Sequence, residues 1–258
     1  MGKHDSSKTR VVPIFDQLYR RDEKGSWLRE LVSLPVAGNP VFCSADCDFT
    51  IQDKGWGKHE NKLDPPVALL SWLIRHLQPP LTGKLSEDYR KAQKRSELLE
   101  GSDKARLEAL ALLRNNPLGE KWHIFEGPTQ PDVFIQTPDF IIVIEGKRTE
   151  LTPTISTKWM LGRHQMIRHI DCAWEIAGKR KIVGFFIVEG NGADGDVPKN
   201  WVQYAEQTMA SGAIASSLPH RGPEEQRGIV SCFAGVTTWQ RVCKMFNIDW
   251  ATLPNVAE

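Results

Sequence analysis

The first half of the chain has the spacing of apolar and polar residues that is typical of helices. Apolar side chains recur every three or four positions at residues 67–77 and again at 107–111. Asp64 and Pro65 are a suitable N-cap and first helical residue. We predict helices at residues 15–31, 65–77, 86–100 and 102–115. The loops between them are rich in glycine and proline.

The pattern changes after residue 120, where short apolar runs are typical of strands. We predict strands at residues 121–126, 132–136, 140–147 and 181–188. The consecutive apolar residues at 140–144 indicate a central strand that is covered on both faces. Further helices are predicted at 157–177 and 198–211, and the apolar stretch at 228–236 suits an edge strand.

The order of these elements, a helix, three strands, a helix and a fourth strand, predicts an α/β fold. The first three strands are close enough to form hairpins, whereas the fourth is reached through a helix and should lie parallel to its neighbour. We expect a mixed sheet with helices on both faces and extra N-terminal helices. The α/β core would span residues 86–215, with a helical and loop-rich extension at 1–85 and a C-terminal addition at 216–258. A length of 258 residues suits one compact domain overall.

Composition and charge narrow the class of protein. The hydrophobic fraction is 40%, and no stretch approaches the roughly 20 apolar residues that span a membrane. The first ten residues are polar and lack the apolar centre of a secretory signal, so we expect a cytoplasmic protein without a membrane partner. The formal net charge of +1 gives no overall attraction to polyanions, although it leaves room for a local basic groove.

Three ionisable residues on the two central strands form the candidate site. Glu145 and Lys147 are two positions apart on one strand and therefore point to the same face. A hairpin that turns at Pro138 and Asp139 pairs residues whose numbers sum to 277. This register places Asp132 directly opposite Glu145, with the Cβ atoms about 5 Å apart. We therefore expect the two carboxylates to be neighbours.

Two carboxylates this close repel each other unless one is protonated or a cation binds. Hard oxygen ligands with room for water suit Mg²⁺, or Mn²⁺ in its place. Such an ion polarises a phosphoryl oxygen and lowers the pKa of a water molecule. Lys147, beside the pair, could orient that water or balance negative charge in the transition state.

An ordinary structural role is the main alternative for these residues. Acid-x-Lys pairs are common on solvated strands, but here Glu145 ends a strand that is too apolar to be solvated. Asp132 across the hairpin adds a second acid, and this conjunction favours a functional site. In an unrelated α/β protein with an accidental Glu-x-Lys pair, Asp132 and Glu145 would lie on opposite faces of the sheet.

The chain resembles the PD-(D/E)XK nucleases, the restriction-endonuclease-like superfamily, in Pro131-Asp132 and Glu145-Gly146-Lys147. The resemblance covers roughly residues 100–190 and includes the order of helix, three strands, helix and strand. It implies that Asp132 and Glu145 bind Mg²⁺ and that Lys147 assists hydrolysis of a phosphodiester. It also implies a nucleic-acid substrate, with DNA expected ahead of RNA. Many restriction-like enzymes pair as homodimers so that two sites cut two strands.

The same resemblance suggests an additional metal ligand from the helix that precedes the strands. Many members carry an acid there, and Glu108 fits best because it borders the apolar face of its predicted helix. Glu97, Glu100 and Glu126 are alternatives. The alternative for all four residues is an ordinary solvated carboxylate.

The helix after the Lys147 strand provides the remaining candidates. Exonuclease-like members of the superfamily carry Gln-x-x-x-Tyr there, whereas Gln165 is followed four residues later by His169. Both would lie on one helix face, so Gln165 is a candidate for positioning water or phosphate. Arg163, Arg168 and His169 are candidates for binding nucleic acid. The missing Tyr and the near-neutral charge also leave a second hypothesis, in which the domain has lost catalysis and serves as a binding module.

Overall fold

In the computed structural model, six strands of the described residues form one mixed sheet and two short strands form a separate hairpin. The structure describes residues 5–115, 121–192 and 194–256. In chain order the strands are β1 (Val36–Ala37), β2 (Asp53–Trp56), β3 (Val133–Gln136), β4 (Phe140–Gly146), β5 (Ser156–Thr157), β6 (Met160–Leu161), β7 (Lys181–Val188) and β8 (Phe233–Thr238). The large sheet has the order β1-β8-β7-β4-β3-β2, and β5 pairs with β6.

Helices surround this sheet. Within the described part of the chain, the α-helices are α1 (Val12–Arg21), α2 (Leu28–Leu31), α3 (Val67–Arg75), α4 (Tyr89–Leu99), α5 (Asp103–Asn115), α6 (Gln165–Trp174), α7 (Lys199–Thr208), α8 (Ser211–Ser217), α9 (Pro223–Ser231) and α10 (Trp239–Met245). A π-helical turn, Ser7–Val11, leads into α1, and two 3₁₀ turns lie at Gly57–His59 and Trp250–Thr252.

The centre of the sheet agrees with the prediction. β3 and β4 are antiparallel in the expected register, in which Val133 faces Ile144. The N–H of Thr137 donates to the carbonyl of Phe140 and closes the turn between the two strands. β7 lies parallel to β4, as expected for a strand that is reached through a helix. The predicted α/β class and the mixed sheet are therefore confirmed.

Alternate side chains of the central strands pack on opposite faces of the sheet. On one face, Ile142 and Ile144 of β4 pack with α1, α2 and α10. On the other face, which we call the α6 face, Ile141 and Val143 pack with α6, α7 and α9. Every residue of β4 is buried. The prediction of a central strand with helices on both sides is correct.

The predicted strand at 121–126 is wrong, and β2 takes the place beside β3. Trp122 and Phe125 instead pack into a separate apolar cluster with α3, α4 and α5. Arg95 of α4 donates to the carbonyls of Trp122 and Ile124, at 2.8 and 3.0 Å. A guanidinium group thus satisfies backbone acceptors that a neighbouring strand would otherwise satisfy.

The helix predicted at 157–177 begins later, at Gln165. Residues 156–161 form the β5–β6 hairpin, and its residues Trp159 and Met160 are buried against α3, α4 and α5. Gly162 follows the hairpin with a positive φ of 76°, a conformation that a continuing helix does not allow. The apolar spacing of Trp159 therefore reflects packing in another cluster.

The C-terminal part is also more regular than predicted. The stretch proposed as an edge strand contains the end of α9 and the start of β8, and β8 lies inside the sheet between β1 and β7. All three predicted segments contribute strands to this sheet: β1 and β2 come from residues 1–85, β3, β4 and β7 from 86–215, and β8 from 216–258. Within the described residues, no helix has the length and apolar character needed to cross a membrane.

Candidate functional site

Glu145 lies on the α6 face, where its carboxylate meets Gln165 and His169 of α6, and Asp132 lies close enough for the two charges to interact. The β3–β4 pairing ends with Val133 opposite Ile144, so Asp132 directly precedes the paired residues and Glu145 directly follows them. Oδ2 of Asp132 accepts a hydrogen bond of 2.8 Å from the backbone N–H of Gly146. Nζ of Lys147 lies 2.9 Å from Oε1 of Glu145. The structure therefore brings Asp132, Glu145 and Lys147 together, and the interaction of the two acids argues against an arrangement on opposite faces.

The carboxylate of Glu145 is buried and accepts three hydrogen bonds. Its Oε1 accepts one from Nζ of Lys147 at 2.9 Å and one from Nε2 of Gln165 at 2.6 Å. Its Oε2 lies 3.1 Å from Nε2 of His169. Gln165 and His169 are four residues apart on α6, and they share a helix face as their spacing predicts. These donors replace water around a residue that is only 5% exposed.

The ring of His169 connects Glu145 to Thr129. Nδ1 of His169 lies 2.8 Å from the hydroxyl of Thr129. A proton on Nε2 satisfies both contacts, because Nε2–H then donates to Glu145 while Nδ1 accepts from Thr129. His169 is buried, so the prediction that it contacts nucleic acid directly is wrong. Its contacts instead hold the carboxylate of Glu145 in place.

Gly146 ends β4 between Glu145 and Lys147 and allows tight packing at this point. A Cβ atom at this position would lie 2.8 Å from Cζ2 of Trp239 and 2.9 Å from Cγ2 of Val11. Nε1 of Trp239 donates to the carbonyl of Lys147 at 3.0 Å, and the N–H of Lys147 donates to the carbonyl of Ile187 at 2.8 Å. The backbone that carries Lys147 is therefore fixed on both sides.

The charges at the site depend on one another. Burial and the negative charge of Glu145 raise the pKa of Asp132 to about 8. Burial alone would raise the pKa of Glu145, but its hydrogen bonds with His169 and Lys147, together with the positive charge of Lys147, outweigh it and lower that pKa. Burial alone would lower the pKa of Lys147, but Glu145 and Asp132 more than offset it and raise that pKa. At pH 7 Glu145 is thus ionised while Asp132 remains largely protonated.

Glu60 is a third acid close to this pair, and the sequence did not indicate it. It follows the turn Gly57–His59 at the end of β2, and β2 pairs with β3. Burial and the charges of Glu145 and Asp5 raise the pKa of Glu60. Because the pairing of β2 with β3 joins distant parts of the chain, no local pattern could have revealed this neighbour.

The oxygen atoms of Asp132 and Glu145 suit a hard divalent cation such as Mg²⁺ or Mn²⁺. Among the described residues, the carboxylate of Asp132 accepts one hydrogen bond and Oε2 of Glu145 accepts one, so both retain lone pairs for a cation. A positive charge would also allow Asp132 to ionise beside Glu145. The described residues contain no group of three or more His, Cys, Asp or Glu side chains that could hold a metal ion. Asp132 and Glu145 are therefore the candidate ligands in the part of the chain that the structure describes.

The predicted additional acid is not part of this group. Glu108 lies at the contact between α4 and α5, where its carboxylate accepts a hydrogen bond of 2.8 Å from Lys94. The structure does not gather Glu108 with Asp132 and Glu145, because α5 packs against α3 and α4. The three alternatives are also engaged elsewhere, with Glu97 near Lys94, Glu100 bonded to Ser96 and Glu126 bonded to Arg163.

Arg163 is fully buried and therefore cannot bind nucleic acid as predicted. Its guanidinium group lies 3.0 Å from Glu126 and 2.8 Å from Asp171, and it donates to the carbonyl of Ser217. Two of these partners, Glu126 and Ser217, are distant in sequence, so the segment alone has the pattern of a donor-rich surface. Arg168 remains partly exposed beside Glu126, at 3.4 Å, and it retains access to a ligand.

Comparison with known proteins gives no match. No protein-family model fits the sequence, and neither a curated protein nor a solved structure is significantly similar to the chain. The interpretation of the site therefore depends on its own geometry.

Proposed function

We propose that this protein is a metal-dependent phosphodiesterase, a nuclease whose expected substrate is DNA. The observation that carries the proposal is the pair of carboxylates, Asp132 and Glu145, on facing strands with Lys147 bonded to the second acid. A buried pair of acids with one raised pKa is typical of functional sites. The near-neutral net charge requires that substrate affinity comes from local groups such as Arg168.

The surrounding fold supports the same proposal. The antiparallel β3–β4 hairpin is followed by α6 and then by β7, which is parallel to β4. This is the order of elements that the resemblance to PD-(D/E)XK nucleases implies around the Asp and the Glu-x-Lys. The strand beside β3 departs from that order, since β2 belongs to the N-terminal part of the chain.

The chain offers Asp132 and Glu145 as ligands for Mg²⁺ or Mn²⁺. When bound, such an ion supplies a polarised phosphoryl oxygen and a water molecule of lowered pKa. Lys147 would stabilise negative charge that develops on the phosphate, because its ammonium group is already held beside the carboxylates. Gln165 donates to Glu145 through Nε2, while its Oε1 is buried without a partner among the described residues. That oxygen is suited to accept a hydrogen bond from an attacking water molecule.

A second candidate function follows from the hydrogen bonds of Glu145. Lys147, Gln165 and His169 already satisfy three of its acceptor positions, so its negative charge is compensated without a metal ion. A site stabilised in this way would also suit a nuclease-like domain that binds nucleic acid or protein without cutting.

A nuclease assay with Mg²⁺ or Mn²⁺ on single-stranded DNA, double-stranded DNA and RNA tests the proposal. Wild type is compared with Asp132→Asn and Lys147→Met, which preserve the size of each side chain. Lys94→Met is the matched control, because Lys94 forms a similar ion pair with Glu108 away from the site. We expect metal-dependent cleavage by wild type and Lys94→Met, and a loss of at least a hundredfold in the other two variants.

Each alternative outcome has a distinct meaning. Cleavage that survives in Asp132→Asn and Lys147→Met would contradict the assignment of the site. No cleavage by wild type, combined with no Mg²⁺ or Mn²⁺ binding in calorimetry, would contradict the proposed activity and favour the binding module.

A further inference from the structure

A small cavity lies beside the start of α6, outside the carboxylate site. Its volume is about 380 Å³, and residues before α6, in α7 and in α8 line it together with the β5–β6 hairpin. Its lining includes His164, Tyr204, Thr208 and Ala213. Among the described residues, none of those that line the cavity carries a charged side chain. The cavity is therefore suited to a neutral, compact molecule.

The hydrogen bonds around His164 determine which of its ring nitrogens carries the proton. Burial lowers the pKa of His164 to about 4, so the ring is neutral at pH 7 and has a single N–H. The hydroxyl of Thr208 donates to the carbonyl of Tyr204 at 2.7 Å, and the same oxygen lies 2.8 Å from Nε2 of His164. Because Thr208 has one proton to donate, Nε2–H of His164 must donate to Thr208.

This assignment leaves Nδ1 of His164 as an acceptor. His164 is only 7% exposed, and Nδ1 is buried without a hydrogen-bond partner among the described residues. A buried acceptor that lacks a donor is costly. The side chain lies at the wall of the cavity, so a molecule there whose N–H or O–H group reaches Nδ1 would remove that cost.

The cavity is next to the candidate active site. The ring of His164 lies 6.4 Å from that of Phe186, centroid to centroid, and Phe186 pairs with Glu145 across the β4–β7 ladder. His164 also directly precedes Gln165, whose amide contacts Glu145. A ligand in the cavity is therefore one strand away from the carboxylates.

We propose that this cavity binds one base of the nucleic-acid substrate, through a base N–H that donates to Nδ1 of His164. The inference rests on the proposed function, because the base would belong to a nucleic acid whose phosphodiester binds at Glu145 and Lys147. The uncharged lining suits a base ring, and Tyr204 offers an aromatic surface. A base in the cavity must be unpaired, so the substrate at the site is single-stranded or locally opened.

The test uses the ¹⁵N-labelled 258-residue chain in the absence of metal. Adenosine, guanosine, cytidine and thymidine are titrated separately while the Nδ1 signal of His164 is followed by NMR. Comparison with His164→Phe assigns that signal. We expect at least one nucleoside to shift it and to lose about tenfold in affinity in His164→Phe, which removes the acceptor.

Two further measurements separate base recognition from a change in folding. Thymidine and N3-methylthymidine differ in the single N–H of the base. We expect thymidine to bind the protein with His164 more tightly than N3-methylthymidine does. This difference in affinity should vanish in His164→Phe. Ala213→Leu narrows the cavity and leaves His164 unchanged, and it should abolish nucleoside binding without a change in melting temperature. Binding that is indifferent to both variants, or an Nδ1 signal that no nucleoside moves, would overturn the inference.

The outcome is independent of the nuclease assay. Nucleoside binding that requires His164 in a protein that never cuts nucleic acid would contradict the proposed activity and leave the base site intact. Cleavage that depends on Asp132 and Lys147 without nucleoside binding would contradict the base site alone.

Discussion

At the level of single residues, the charge of Asp132 should make stability depend on pH. Folding raises the pKa of Asp132 from its ordinary value of 3.8 to about 8, so the folded protein holds this proton more tightly than the unfolded chain does. The contribution of this proton to the stability of the folded protein is complete below about pH 4 and is lost as the pH rises through 8. Asn cannot ionise, and its amide oxygen can still accept from Gly146. We expect metal-free Asp132→Asn to melt at least about 2–4 °C above wild type at pH 9.

The difference in melting temperature between Asp132→Asn and wild type should shrink or reverse at pH 5, where Asp132 of the wild type is protonated. Melting curves from pH 5 to pH 9 in the presence of a chelator measure it. Asp103→Asn is the control, because Asp103 is an exposed acid paired with Arg106 and its effect should not vary over this range. A constant difference between Asp132→Asn and wild type would mean that Asp132 is ionised throughout.

The sequence predicted which residues of the site are neighbours within one hairpin or one helix because these relations are local, but it did not predict that Gln165 and His169 bond to Glu145. Asp132 and Glu145 belong to one hairpin whose turn residues set the register, and Gln165 and His169 belong to one helix. Arg163 and Glu60 were misjudged or missed because their neighbours come from distant segments. A charge pattern along the chain cannot distinguish a solvated arginine from one whose counter-ions arrive from other elements.

At the level of elements, Arg95 replaces a strand as the partner of the backbone at 121–126. It donates to the carbonyls of Leu85, Trp122 and Ile124, and its guanidinium group lies 5.1 Å from the ring centre of Trp159. Lysine cannot reproduce this planar set of donors. We expect Arg95→Lys to lower the free energy of unfolding by about 2–4 kcal/mol.

Urea denaturation measures this loss. The same exchange at Arg106, which forms an exposed pair with Asp103, should change stability by less than about 0.5 kcal/mol. Equal effects of the two exchanges would show that the carbonyls at 121–126 do not depend on Arg95.

The composition and burial of each segment explain which strands could be predicted from the sequence. β4 and β7 are long, apolar and buried, so their composition alone indicates strands. β2 contains Asp53, Lys54 and Gly55 and lies at the sheet edge, where polar residues are tolerated and the apolar signal is weak. Residues 121–126 have the apolar composition of a strand, but their side chains are buried by helices.

At the level of the whole molecule, Arg10 joins the two ends of the chain to the sheet. Its buried guanidinium group forms an ion pair of 3.0 Å with Glu189, just after β7, and donates to the carbonyl of Pro254 at 2.7 Å. It also lies over the ring of Trp250, 4.5 Å from the centroid. We expect Arg10→Met to lower the free energy of unfolding by about 3 kcal/mol, because Glu189 loses its partner in a partly buried position.

Chemical denaturation of Arg10→Met, Glu189→Gln and the double variant measures this effect. The double variant should lose less free energy of unfolding than the two single variants lose in sum, since it leaves no unpaired charge. A loss below about 1 kcal/mol in Arg10→Met would indicate that other contacts hold the ends of the chain.

The position of the site within the chain has a consequence for the order of folding. The side chains that contact one another there come from residues 129–169: Thr129, Asp132, Glu145, Lys147, Gln165 and His169. Contacts between residues close in sequence form early in folding because closing their loops costs less entropy. By contrast, β1 and β2 pair with strands that are distant in sequence. Weakening the bonds of Glu145 should therefore slow folding, while weakening the β1 edge should mainly accelerate unfolding.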